Sequence, residues 1–157
     1  MIEIIGDFWK IKEQEKPDVI CFTSNKIIKT QQKLVMGAGI AKQFRDKYQN
    51  LDSDIAQRIL SGQHTNHIVM VRESKYTRTP SNTYISTFPT KNNYIHPSDI
   101  ELIQTSAKTL LDIVNAVGFR KILLTKPGCG RGNLNWEDVK LIIEPILDNR
   151  FIIIDLS

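Results

Sequence analysis

Short apolar runs alternate with helical stripes along this chain. Residues 2–5 (IEII) are β-branched and stop at Gly6-Asp7, which reads as a strand with a carboxylate at its end. Residues 18–23 (DVICFT) are continuously apolar, the pattern of a strand buried on both faces. The charged segment between them, residues 10–17, reads as a short crossover, and residues 26–33 as a polar, basic loop. From Gly39 the period lengthens. Ile40, Ala41, Phe44 and Tyr48 share one helical face, with Lys42, Arg45, Asp46 and Lys47 opposite. Asp52 or Ser53 caps a further helix carrying Ile55, Ala56, Ile59 and Leu60, closed by Gly62. Residues 67–71 and 83–88 read as strands joined through a basic stretch containing Pro80, either a hairpin loop or a less ordered segment. Residues 98–117 give the clearest helix: Ser98 and Glu101 form a capping box, and Gly118 stops it. Its stripe is Ile100, Ile103, Ala107, Leu110, Leu111, Val114 and Val117. Residues 121–125 are a strand. Asn135 caps the last long helix, Pro145 predicts a kink or an early end in it, and residues 151–154 form the final strand. Strands alternating with helices predict an α/β sandwich with a largely parallel central sheet.

The length suits a single domain over residues 1–157, with no internal repeat or linker. The net charge of +4 suits an anionic ligand, a nucleotide or a nucleic acid, and equally a solvated surface with extra lysines. Cys21 and Cys129 lie far apart without CxxC spacing, which argues against a disulfide framework or a zinc site and for a reducing cytoplasm. The first residues have no basic segment before a long apolar core, so no signal peptide is expected. No apolar run approaches membrane-spanning length.

Two glycine-rich loops carry the candidate chemistry. The sequence Pro127-Gly128-Cys129-Gly130-Arg131-Gly132-Asn133 follows a strand and precedes a helix. Its bare backbone either cradles a phosphate with converging N–H groups and a helix N-terminus, or simply turns. Met36-Gly37-Ala38-Gly39-Ile40 stands in the same relation to the helix that begins near Gly39. Two such loops at the carboxyl edge of one sheet can close on a diphosphate from both sides. Neither matches a standard nucleotide signature. Position 42 is Lys where a Rossmann fingerprint has its third glycine, and no Gly-Lys-Ser/Thr exists. No Gly-x-Ser-x-Gly elbow supports a serine hydrolase. His64 and His67 have no third ligand nearby in sequence and His96 is remote, so no metal is expected. Lys91, at a strand end after Phe88-Pro89-Thr90, is either a solvated charge, a partner for a ligand anion, or a base or nucleophile in a desolvated site.

In this order the motifs resemble the macrodomain family of ADP-ribose binders, over almost the whole chain. The similarity rests on Gly6-Asp7-Phe8 after the first strand, Asn25 after the second, the loop from Met36 to Ala41, Phe88-Pro89-Thr90-Lys91, and the stretch from Pro127 to Trp136. The Phe-Pro-Thr-Lys and Gly-Cys-Gly motifs look most like the branch containing the vertebrate terminal ADP-ribose glycohydrolase and the DarG antitoxin. The resemblance implies a three-layer α/β/α sandwich with a mixed, mostly parallel sheet, and no cofactor. It implies that Asp7 accepts from the adenine amino group beside the Phe8 backbone. Met36, Gly37, Ala38, Gly39 and Ile40, with the loop from Pro127 to Asn133, would hold the diphosphate and distal ribose near Asn25. Lys91 would attack or assist at C1″ of that ribose. There are departures. No carboxylate stands near Gly132, where the vertebrate enzyme has an aspartate. The stretch between Asn25 and Met36 is longer than in either relative. No aromatic residue follows the last strand to stack on adenine, leaving Phe8 or Trp9 as substitutes.

Three functions are compatible with this reading. The first is an ADP-ribosyl glycohydrolase, monomeric and cytoplasmic, acting on ADP-ribose attached to a nucleic acid or a protein. The second is a reader or sequestering module for an ADP-ribose-type nucleotide. The third is a nucleic-acid-binding domain using Lys26, Lys29, Lys33, Lys75 and Arg78.

Overall fold

Six strands form one sheet, and the computed structural model describes residues 1–156. In chain order the elements are β1 (Ile2–Ile5), α1 (Phe8–Glu15), β2 (Val19–Asn25), α2 (Gly39–Lys47), α3 (Leu51–Leu60), β3 (Met70–Arg72), β4 (Tyr84–Lys91), α4 (Ile100–Val117), β5 (Ile122–Thr125), α5 (Trp136–Ile143) and β6 (Phe151–Asp155). A single 3₁₀ turn, Glu73–Lys75, follows β3. The sheet order is β1-β6-β5-β2-β4-β3. Every neighbouring pair is parallel except β3 with β4, so the sheet is mixed and mostly parallel.

The alternation of side chains along each strand divides the core into two layers. On one face Ile20, Phe22, Ile85, Leu123, Ile152 and Ile154 pack against α1, α2 and α3 through Phe8, Phe44 and Ile55. On the other face Val19, Cys21, Phe88, Ile122, Leu124 and Ile153 pack against α4 and α5 through Ile103, Leu110 and Val139. Each such fully buried side chain contributes about 1.5–3 kcal/mol. The result is the three-layer α/β/α sandwich.

Several local expectations need correction. The charged segment after β1 is a helix, not a plain crossover. Its N-cap is Asp7, whose carboxylate accepts from the Lys10 N–H at 2.9 Å. Only Phe8 and Ile11 of α1 are buried, too few to show a stripe. The α3 N-cap is Asn50, in a left-handed conformation, rather than Asp52 or Ser53. Asp99, not Ser98, caps α4, accepting from the Glu101 and Leu102 N–H groups at 2.9 and 3.3 Å. β3 covers only Met70–Arg72, because residues 65–68 close a tight turn of their own. α5 ends at Ile143, ahead of Pro145, as the proline requires.

Candidate functional site

β2 and β5 lie side by side and run parallel, but the chain continues from them to opposite faces: α2 after β2, α5 after β5. Such a divergence opens a crevice beyond the carboxyl ends of the strands. Here the crevice has a volume of about 870 Å³. Its floor is Thr23, Ser24, Asn25, Thr90 and Lys91. One wall runs from Val35 to Ala41, the other from Gly128 to Gly132, and Lys126, Ile154, Asp155 and Leu156 close one end.

The first wall is the entry to α2. Gly39 adopts a left-handed φ of 59°, and no side chain caps the helix, so its first N–H groups keep no side-chain partner at the cleft wall. Met36 and Ile40 are buried beneath the loop and fix its course. The second wall is a tight coil. Gly128 has φ 79° and its carbonyl accepts from the Leu134 N–H at 2.9 Å. The Gly132 carbonyl accepts from the Ser98 N–H at 3.0 Å, which ties the loop to the start of α4. A Cβ on Gly132 would lie 2.1 Å from Ser98 Oγ and 2.4 Å from the Gly128 carbonyl oxygen, so only glycine fits there.

Lys91 stands opposite Asn25 in the β2–β4 ladder, and its Nζ donates to the Arg131 carbonyl at 3.4 Å. The lysine therefore reaches across to the second glycine loop. Asn25 also lines the cleft, but much of its amide is engaged. Nδ2 donates to the Val35 carbonyl at 3.1 Å and Oδ1 accepts from the Ile27 N–H at 2.9 Å, closing the root of the lysine-bearing loop. Lys26, Lys29 and Lys33 are thus carried on a loop that starts and ends in the cleft wall. Lys75, by contrast, pairs with Asp54 at 3.0 Å beyond β3.

Two polar groups in the lining have no hydrogen-bond partner among the described residues. Ser24 Oγ and Ser98 Oγ are buried without a hydrogen bond, on residues only 6% and 8% exposed. A buried hydroxyl without a partner is costly unless something else satisfies it, and both belong to the cleft lining. Burial pushes the Cys129 thiol up to about 11, only partly offset by the Lys126 charge, which disfavours the thiolate. At the closed end Lys126 Nζ pairs with Asp155 Oδ2 at 2.8 Å and lies 5.1 Å from the centre of the Trp136 ring.

Of the residues singled out from sequence, Asn25, Lys91, the first loop from Met36 to Ile40, and Gly128, Cys129, Gly130, Arg131 and Gly132 share this cleft. Asp7, Phe8, Pro127 and Asn133 are not in its lining. Asp7 caps α1 just beyond the closed end, where the Gly6 N–H donates to the Asp155 carbonyl at 2.9 Å. Neither the Phe8 nor the Trp9 ring is in the cleft lining. The Phe8 ring is in the core against Phe44, and Trp9 packs on Phe44 and Tyr48 under Lys47 while its Nε1 donates to Gln43. Ile154 and Leu156 are the apolar residues at that end of the cleft. His64 and His67 sit elsewhere, with the His64 Nδ1 accepting from the His67 N–H at 3.0 Å. Sequence reasoning missed Ser24, Tyr94, Ser98, Lys126 and Asp155. Of these, the alternation of β2 and the strand end at Asp155 were the usable signals.

A sequence profile of the family described as Macro domain matches residues 29–143. The chain belongs to the macrodomain family. This macrodomain is 32% identical over 116 residues to the DNA ADP-ribosyl glycohydrolase of Thermus aquaticus, a match covering 73% of this chain and 31% of that protein. It is 27% identical over 113 residues to the ADP-ribose glycohydrolase OARD1 of Homo sapiens, covering 72% of this chain and 67% of that one. The macrodomain of Thermus aquaticus DarG superposes with a TM-score of 0.77 at 23% identity, over 99% of this chain and 97% of that one, which shows the shared fold. The matched stretch is thus about a third of the length of the Thermus relative. No helix among the described residues is long and apolar enough to cross a membrane.

Proposed function

We propose that this macrodomain binds ADP-ribose in the 870 Å³ cleft and releases it from a modified nucleic acid or protein by cleaving the bond at C1″ of the distal ribose. The observation that carries the proposal is the juxtaposition of two glycine loops on opposite walls with Lys91 Nζ held against the second loop at the Arg131 carbonyl. Neutral N–H groups of Gly37 to Ile40 and of Gly128 to Gly132 hold the diphosphate. Adenine lies toward Asp7, whose second carboxylate oxygen remains for its amino group, and toward Leu156. The distal ribose lies over Asn25 and Lys91, with the Ser24 and Ser98 hydroxyls as further partners. The names of the relatives from Thermus aquaticus and Homo sapiens support ADP-ribosyl glycohydrolase chemistry.

Lys91 acts in one of two ways. As an ammonium it stabilises charge leaving with the aglycone while water adds to C1″. As an amine it attacks C1″ and displaces the aglycone, which leaves with a proton; the ribose opens to a Schiff base, which borohydride would trap and which water otherwise hydrolyses to free ADP-ribose and the amine. A reader without turnover is the second reading. It is favoured by one fact: Asp155 is the single carboxylate among the described lining residues, and it pairs with Lys126 rather than standing beside Lys91. Release of ADP-ribose from modified DNA and modified protein, assayed in parallel with wild type and Lys91→Ala, separates the two. A monomer in a reducing cytoplasm completes the proposal. Light scattering of the purified chain tests its first part.

A further inference from the structure

We propose that Tyr94 is the platform on which the leaving group stacks, and that it gives the site a preference for ADP-ribose attached to an unpaired nucleobase over ADP-ribose attached to an acidic side chain. The proposal rests on the reading of the cleft as an ADP-ribose site. Tyr94 lines the cleft, yet 53% of its surface is exposed, and among the described residues it has no hydrogen bond, ion pair or ring contact. It lies three residues beyond Lys91, past the end of β4. β2 and β4 form the end of the cleft remote from Asp155 and Leu156. A ligand running from that closed end toward Lys91 therefore presents its leaving group to the loop that carries Tyr94.

A lone exposed tyrosine needs no explanation, but this one is presented by a built loop. The Asn93 side chain accepts from the Ile95 N–H at 3.1 Å and its carbonyl accepts from the His96 N–H at 3.2 Å. Asn92 Nδ2 donates to Asp99 Oδ2 at 3.1 Å, and the Asp99 N–H donates to the Thr90 carbonyl at 2.8 Å. These bonds hold the turn before a ligand arrives, which lowers the ordering cost of stacking. An acidic side chain as leaving group has no aromatic face to stack on such a platform, whereas every nucleobase has one. The partner strand favours the same substrate. Asn25, in register with Lys91, starts the loop bearing Lys26, Lys29 and Lys33, a positive arm suited to the phosphates flanking a modified base.

The test measures three affinities in a Lys91→Ala background, which prevents turnover: free ADP-ribose, a single-stranded oligonucleotide carrying ADP-ribose on one base, and a peptide carrying it on a glutamate. Adding Tyr94→Ala is expected to lower the ratio of oligonucleotide to free ADP-ribose affinity roughly tenfold, within the range for removing a base-stacking aromatic. The peptide ratio should move less than twofold, and Tyr94→Phe should keep the oligonucleotide preference. Unchanged ratios, or equal losses for peptide and oligonucleotide, overturn the assignment to Tyr94 while leaving the cleft reading intact. Absence of ADP-ribose binding by the wild type overturns both.

Discussion

Replacing Gly132 by alanine is expected to disorganise the second wall of the cleft without touching the sheet. Neither Gly130 nor Gly132 has a left-handed φ, so the difference between them is steric alone. At Gly130 a new Cβ meets nothing within 4 Å. At Gly132 it would lie 2.1 Å from Ser98 Oγ and 2.4 Å from the Gly128 carbonyl oxygen. The Ser98 hydroxyl can rotate away, since it has no partner to lose. The Gly128 carbonyl cannot move without giving up its bond from Leu134 at 2.9 Å, and shifting Gly132 strains its own bond from Ser98 at 3.0 Å. Overpacking of this kind costs about 1–3 kcal/mol, and each weakened hydrogen bond about 0.5–1.5 kcal/mol. Their sum, with two bonds affected, is roughly 2–6 kcal/mol and lowers Tm by about 4–24 °C for a chain of this size. Gly130→Ala should stay within about 0.5 kcal/mol of wild type. Urea and thermal unfolding give the stabilities, and calorimetric titration with ADP-ribose should show affinity falling in Gly132→Ala. Combining it with Ser98→Ala should recover little of the loss, because the clash with the Gly128 carbonyl remains. Wild-type stability in Gly132→Ala, or equal damage from Gly130→Ala, would refute the steric reasoning.

Two further outcomes follow from groups away from the reaction. Glu73 is buried, and burial alone would raise its pKa. Hydrogen bonds from Tyr48 and Ser81 and the Lys12 ammonium 3.0 Å away outweigh that, and hold its carboxyl below the usual range. Its stabilisation is therefore complete above the ordinary carboxylate pKa of about 4.3 and is lost as pH falls through the lower folded value. Glu73→Gln, which leaves Lys12 with less to pair with, should cost roughly 2–4 kcal/mol near pH 7 in urea unfolding, and the gap to wild type should narrow in acid. Cys129, with its thiol pushed up to about 11, should be about one part in a thousand thiolate at pH 8 and react with a disulfide reagent far more slowly than the unfolded chain does. Rapid labelling of the native protein would contradict that burial.

Much of the fold was legible because its signals are periodic. β2 reads as an unbroken apolar run and is buried, and the stripe of α4 is buried at Ile103, Ala107, Leu110 and Val114. The same rule failed for α1, where eight residues carry only two buried apolar positions. It also overreached at the helix ends, since Leu60 and Val117 are 60% and 61% exposed. Ser98 and Asp99 are both good capping residues, and sequence has no means to tell which of two neighbours turns inward. The glycine loops and Lys91 were legible because bare backbone and a strand-end charge stand out locally. Tyr94 was not, because an aromatic residue in a polar loop has no period, and only three-dimensional position brings it to the cleft. The unpartnered hydroxyls of Ser24 and Ser98 were hidden for a related reason: whether a hydroxyl has a partner is a property of packing.

The central claim joins a binding cleft made of neutral backbone to a reaction that depends on one lysine. It is tested most directly by measuring ADP-ribose release from a modified oligonucleotide and a modified protein with wild type and Lys91→Ala side by side, with ADP-ribose affinity determined for both. The expected result is affinity within a few-fold of wild type and turnover reduced by roughly 100-fold or more in the variant. Undiminished release by Lys91→Ala would contradict the account.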